Sequence, residues 1–118
     1  MRLRGRLRQK QLPAPELDRL ILAQLHGRGA NLAFPRHVLH FLYFEDEASA
    51  RAAAAAAEQA GFEVAIGEPD EAVTQWSLRA EATRVVDYTN VDSYRALFER
   101  IAADHGGEYD GWEAAATP

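Results

Sequence analysis

His105-Gly106-Gly107-Glu108-Tyr109-Asp110-Gly111-Trp112-Glu113 is the stretch that decides how the chain is laid out. Two consecutive glycines do not prolong a helix cheaply, and glycine is favoured just past a helix end. Gly106 and Gly107 therefore stop the helical pattern before them, and the chain turns into a last strand. Successive strand side chains point to opposite faces, which predicts Tyr109 and Gly111 on one face and Asp110, Trp112 and Ala114 on the other. A Trp next to Ala on one face reads as buried. Asp110 shares that face near its entry, and an acid beside a core Trp needs a partner or an edge position.

Upstream of the glycines, Val91, Tyr94, Leu97, Phe98 and Ile101 recur at helical spacing, with Asn90 as the expected cap and Asp92 in the first turn. Before that helix, Trp76, Leu78, Ala80 and Ala82 alternate with Gln75, Ser77, Arg79 and Glu81, the pattern of a half-buried strand. Residues 62–66 read as another strand, closed by the turn Gly67-Glu68-Pro69-Asp70-Glu71. Residues 48–60 are nearly polyalanine, the best helix former available, with Ser49, Ala53, Ala56 and Ala60 expected to face inward. Residues 36–44 are apolar on both faces, as suits an interior strand, and Glu45-Asp46-Glu47 after them suits a helix N-terminus. Pro13 and Pro15 open a first helix whose stripe is Leu17, Leu20, Ile21 and Leu25, ended by Gly27 and Gly29.

The order is helix, then strand-helix-strand-strand-helix-strand. It predicts an α+β fold, a ferredoxin-like βαββαβ antiparallel sheet with two helices on one face, preceded by an N-terminal helix. The N-terminal helix is expected over the otherwise bare sheet face, packed on Phe41 and Tyr43, or else docked on a second chain. Residues 13–118 form one domain, and residues 1–12 read as a basic flexible arm that is dispensable for folding.

The net charge of -5 hides an asymmetry. Seven of the thirteen basic residues lie in residues 1–28, beside only Glu16 and Asp18, so the rest of the chain is strongly acidic. Arg2, Arg4, Arg6, Arg8 and Lys10 sit at every second position and could face phosphates or an acidic partner if extended. Direct nucleic-acid binding is therefore expected only through this arm. The body is acidic, and its third strand lacks the Lys/Arg-Gly-aromatic pattern of RNA-recognition domains.

There is no cysteine, which removes disulfides, thiolate metal sites and thiol nucleophiles and fits a cytoplasmic protein. The longest apolar run, residues 38–44, is interrupted by His40 and far too short to span a bilayer; no signal peptide is read. His37 and His40 point to opposite strand faces, and His26 and His105 are isolated, so neither a metal nor another cofactor is expected. No serine sits in a nucleophile elbow and no loop is built to cradle phosphate. The chain reads as a non-enzyme.

Topology gathers acids. In a split βαβ order, the end of the first strand, the hairpin between the second and third, and the start of the fourth share one end of the sheet. That end would hold Glu45, Asp46, Glu47, Glu68, Asp70, Glu71, Glu108 and Asp110, with Asp104 and His105 nearby. Asp110 is expected beside the free N–H groups of the alanine helix, crowded by Glu45, Asp46 and Glu47. This makes it, with Tyr109 and the rim acids Glu45, Asp46, Glu47, Glu68, Asp70 and Glu71, a candidate contact for a partner's cations; the alternative is that Asp110 only fixes the turn after Gly107.

Glu108-Tyr109-Asp110-Gly111-Trp112-Glu113, together with Arg36-His37-Val38-Leu39-His40-Phe41-Leu42-Tyr43-Phe44, resembles the RraB family. Members of that family bind and inhibit ribonuclease E. In element order the resemblance covers roughly residues 16–115. It implies a ribonuclease E-type partner, an effect on RNA turnover, and the same fold. The competing expectation is a small-molecule-binding regulatory domain with its ligand between sheet and helices.

Overall fold

The computed structural model describes residues 2–6 and 13–115. Five strands and three helices follow one another as β1 (Arg2–Arg6), α1 (Ala14–Gly27), β2 (Pro35–Phe44), α2 (Glu47–Gln59), β3 (Glu63–Gly67), β4 (Trp76–Val85), α3 (Tyr88–Asp104) and β5 (Glu108–Ala115). The strands form one sheet in the order β1-β5-β2-β4-β3, with every neighbouring pair antiparallel. The fold is mixed α+β.

Strand β2 is the spine of the sheet, paired along its whole length with β4 from Pro35↔Val85 to Phe44↔Trp76. Its alternation sends Val38, His40, Leu42 and Phe44 into the buried interior. Val38 meets Leu17, Leu22 and Leu25 of α1 together with Trp112 and Ala114. Leu42 and Phe44 meet the alanines of α2, Phe98 of α3 and Leu78 of β4. All three helices therefore lie on one side of the sheet. Helix α1 does not cover the other side, so Phe41 and Tyr43 are not packed under it as the sequence suggested. Its leucines are drawn instead to the open groove beside α3, where Trp112 already presents an apolar surface.

Helix details follow local chemistry. Asp46 caps α2 by accepting a hydrogen bond from the Ser49 backbone N–H at 2.8 Å. The buried stripe of α2 is Ala50, Ala53, Ala54 and Ala57, rotated from the expected one because a run of identical residues carries no phase. Asp87, not Asn90, caps α3; the Asn90 N–H is the donor to its carboxylate. In α1 the stripe runs through Leu22, while Leu20 is exposed.

Two further expectations need correction. Residues 2–6, read as part of a flexible arm, are the edge strand β1, paired with β5 from Arg2↔Ala115 to Arg6↔Gly111. The rest of that arm, residues 7–12, lies outside the described residues. Second, Tyr109 and Trp112 are not on opposite faces. Leu42 pairs with Tyr109 but His40 pairs with Trp112, so Phe41 stands opposite two residues, Asp110 and Gly111. This is a β-bulge, and its extra residue turns both aromatics toward the helices. Gly111 makes it possible by adopting φ 102°, a conformation that side-chain-bearing residues avoid.

Candidate partner-binding surface

Three register pairs define one end of the sheet: Phe44↔Trp76, Gly67↔Ser77 and Tyr43↔Glu108. The end of β2, the β3–β4 turn and the start of β5 thus lie side by side. Glu45, Asp46, Glu47, Glu68, Asp70, Glu71 and Glu108 are all exposed at that end.

These acids are not equivalent. Asp46 is committed to the α2 cap, and its bond to the Ser49 N–H holds its carboxyl below the usual carboxylate range. Asp70 organises the turn: its carboxylate accepts from the N–H groups of Ala72 and Val73 at 2.8 and 2.7 Å. Glu45 accepts from the Gln75 side-chain amide at 2.9 Å, tying β2's end to β4's start. Glu47 pairs with Arg51 one helical turn on, at 2.7 Å. Glu68 and Glu71 are left as exposed acids of this end that hold no backbone N–H among the described residues.

The glycines of the motif shape the entry to β5. Gly106 sits at φ 69°, and the Gly107 N–H bonds back to the Ala102 carbonyl at 2.8 Å, closing α3. A Cβ on Gly107 would run into the Phe44 ring and the Tyr43 carbonyl.

Asp110 and Tyr109 depart from expectation. Asp110 is completely buried, and Tyr109 nearly so, at 4% exposure. The α2 N-terminus is served by Asp46 rather than Asp110. Neither residue faces outward on the rim.

Behind the rim lies a polar network that sequence reasoning missed. His40 shares a hydrogen bond of 2.8 Å between its Nδ1 and the Tyr109 hydroxyl and stacks on Phe98 at 4.2 Å. Its Nε2 is buried without a partner. Burial first, then the positive charges of Arg95 and Arg84, press the His40 pKa down to about 3, so the ring is neutral. Burial raises the Tyr109 hydroxyl well above its ordinary value, against the pull of the Arg95 charge. The Arg95 guanidinium lies 5.0 Å from the centre of the Tyr109 ring. Asp18 and Arg95 were legible in one respect: each is a charge on an otherwise apolar helical stripe, Asp18 amid Leu17, Ile21 and Leu22, and Arg95 between Val91 and Phe98.

His37, on the other sheet face, pairs with Glu81 at 2.6 Å. Among the described residues no three His, Cys, Asp or Glu side chains gather as metal ligands. Nor, among the described residues, is any helix long and apolar enough to cross a membrane. The layer between sheet and helices, where a small ligand was the competing expectation, is filled by Leu42, Phe44, Phe62 and Phe98.

Comparison with known proteins adds one finding. The sequence profile of the RraB family, described as regulator of ribonuclease activity B, matches residues 16–114, from the first turn of α1 almost to the end of β5. No curated protein matches the chain significantly.

Proposed function

The chain belongs to the RraB family, and from that membership we propose that it is a non-enzymatic cytoplasmic inhibitor of a ribonuclease E-type endoribonuclease, acting by direct binding. The observation that carries the reading is the family match across α1 to β5. The acidic end of the sheet supplies a mode of contact. Nucleases hold RNA on basic surfaces, and a rim carrying Glu68, Glu71 and Glu108 offers complementary charge to such a surface. Binding there would compete with RNA and slow its turnover. A ferredoxin-like core goes with this reading: from β2 onward the order is βαββαβ, and the neighbours run β5-β2-β4-β3. Strand β1 and helix α1 would then be additions to that core.

The test is a binding and cleavage assay with purified ribonuclease E-type enzyme. The expected result is saturable association together with slower cleavage of an RNA substrate. Absence of association at micromolar concentrations of both proteins would overturn the reading.

A further inference from the structure

Strand β3 ends the sheet, with β4 on one side and no strand of the described residues on the other. Natural edges are usually blunted by lysine, proline or a bulge. Glu63-Val64-Ala65-Ile66-Gly67 has none of these; it is short, its one charge, Glu63, stands at its first residue, and its register with β4 is unbroken from Glu63↔Glu81 to Gly67↔Ser77. Ala65 is exposed, while Val64 and Ile66 are half-buried beside α2. Along this edge runs a groove bounded by Val64 and Ile66 on the strand and by Arg51, Ala54 and Glu58 on the helix.

We propose that this edge pairs with the same edge of a second copy of this chain, antiparallel about a two-fold axis at Ala65, giving a homodimer with one continuous sheet. The segment is self-complementary in that register. Val64 falls opposite Ile66 of the second copy on the helix side, and Glu63 falls opposite Gly67, so no like charges meet directly. It is also the one antiparallel register that pairs all five residues. A shift by a single residue would turn Val64 and Ile66 toward the wrong face.

The helices above the edge are complementary too. α2 runs back along β3, so Glu58 lies near the strand's start and Arg51, two turns earlier, near its end. The two-fold axis exchanges start and end. It therefore brings Glu58 level with Arg51 of the second copy, twice. Arg51 holds Glu47 through Nε and Nη2, which leaves Nη1 for the second copy. An unrelated partner strand would have no reason to match both the apolar pair and the charge pair. This inference does not depend on the proposed ribonuclease contact, which lies at the end of the sheet.

The experiment is sedimentation velocity of the full chain over a wide concentration range, with circular dichroism to check folding. Ala65→Lys and Ala65→Glu each set like charges face to face at the axis, on a side chain that is exposed in the single chain. Each should weaken dimerisation by about tenfold or more while leaving the fold intact. An equimolar mixture of the two variants should recover the dimer, because opposite charges now meet. Glu58→Arg should also weaken it by placing arginines face to face. A wild-type chain that stays monomeric to its solubility limit overturns the proposal. So does a dimer indifferent to both Ala65 variants, or a mixture that fails to associate.

Discussion

Asp18 of α1 and Arg95 of α3 meet fork to fork inside the protein, Oδ2 to Nε at 2.5 Å and Oδ1 to Nη2 at 2.8 Å. Trp112 of β5 donates its indole N–H to the same Oδ1 at 2.8 Å, so three elements converge on one carboxylate. Arg95 reaches on to Glu99 at 3.1 Å. Taking both ions out of water is expensive, and the hydrogen bonds offset that cost only while all partners are present. Burial alone would lower the Arg95 pKa, but its bonds and charge contact with Asp18 win and raise it. The cluster fixes how α1 sits against α3 and the sheet.

Removing one partner should therefore hurt more than removing both. Asp18→Ala strands the buried guanidinium and the indole N–H, and should cost on the order of 3–5 kcal/mol in urea unfolding. Asp18→Leu combined with Arg95→Met should recover much of that loss, since an apolar pair leaves no ion uncompensated. If the double variant is as unstable as Asp18→Ala, the damage comes from lost packing and not from the stranded charge.

His40 sets a pH dependence. Its pKa falls from the ordinary 6.5 to about 3 in the folded protein, while the unfolded chain keeps the ordinary value. The unfolded state thus binds the extra proton first on acidification. This contribution is complete above the ordinary pKa and is lost progressively as pH falls toward 3, by up to about 1.4 kcal/mol per pH unit. His40→Phe with Tyr109→Phe removes the titrating ring and its bonded hydroxyl together. Stability of the two proteins should be compared between about pH 6.5 and 5, before the carboxylates titrate. The wild type should lose stability faster over that window. Parallel curves would show that His40 titrates alike in the folded and unfolded chain and that its burial does not govern acid stability.

The order of elements from β2 to β5 was legible because each carries its own period or stop signal: the alternation of Trp76, Leu78, Ala80 and Ala82, the glycines at 106 and 107, the alanine run. What the sequence hid were relations between elements. The bulge opposite Phe41 adds a single residue to β5, and strict alternation across Asp110 and Gly111 then predicts the wrong face for Tyr109. Strand β1 does alternate, Arg2, Arg4 and Arg6 against Leu3 and Gly5, but its charge and its single Leu read as a solvated arm, and its pairing with β5 is what identifies it as a strand. The acidic end followed from topology alone, yet which acids hold backbone and which stay free, Asp70 against Glu68, depends on local hydrogen bonds.

Strand β1 makes the N-terminus testable. Deleting residues 1–6 removes the pairing along β5 from Gly111 to Ala115 and bares that edge. Each lost backbone hydrogen bond is worth on the order of 1 kcal/mol, so the melting temperature should drop clearly. A truncated chain that melts with the full-length protein would mean that β1 adds nothing to the stability of the sheet.

The acidic end should be tested with acids that have no structural duty. Asp46 and Asp70 hold backbone N–H groups, so their replacement would confuse binding with folding. Asp110 is buried, and Asp110→Asn is expected to act on stability, not on encounter with a partner. Glu68→Lys and Glu71→Lys together reverse two exposed charges without touching a cap or a turn bond. This charge-reversed variant should melt like the wild type. Its association with a ribonuclease E-type enzyme should slow by on the order of tenfold at low salt, because long-range charge acts on the encounter. The difference should shrink as salt shortens the screening length to about 8 Å near physiological strength. Dissociation should change less, since rim charges stay solvated in a complex. If the charge-reversed variant associates at the wild-type rate at every salt concentration, the acidic end is solvated surface only, and the contact with the enzyme must be sought on α1 or the open sheet face.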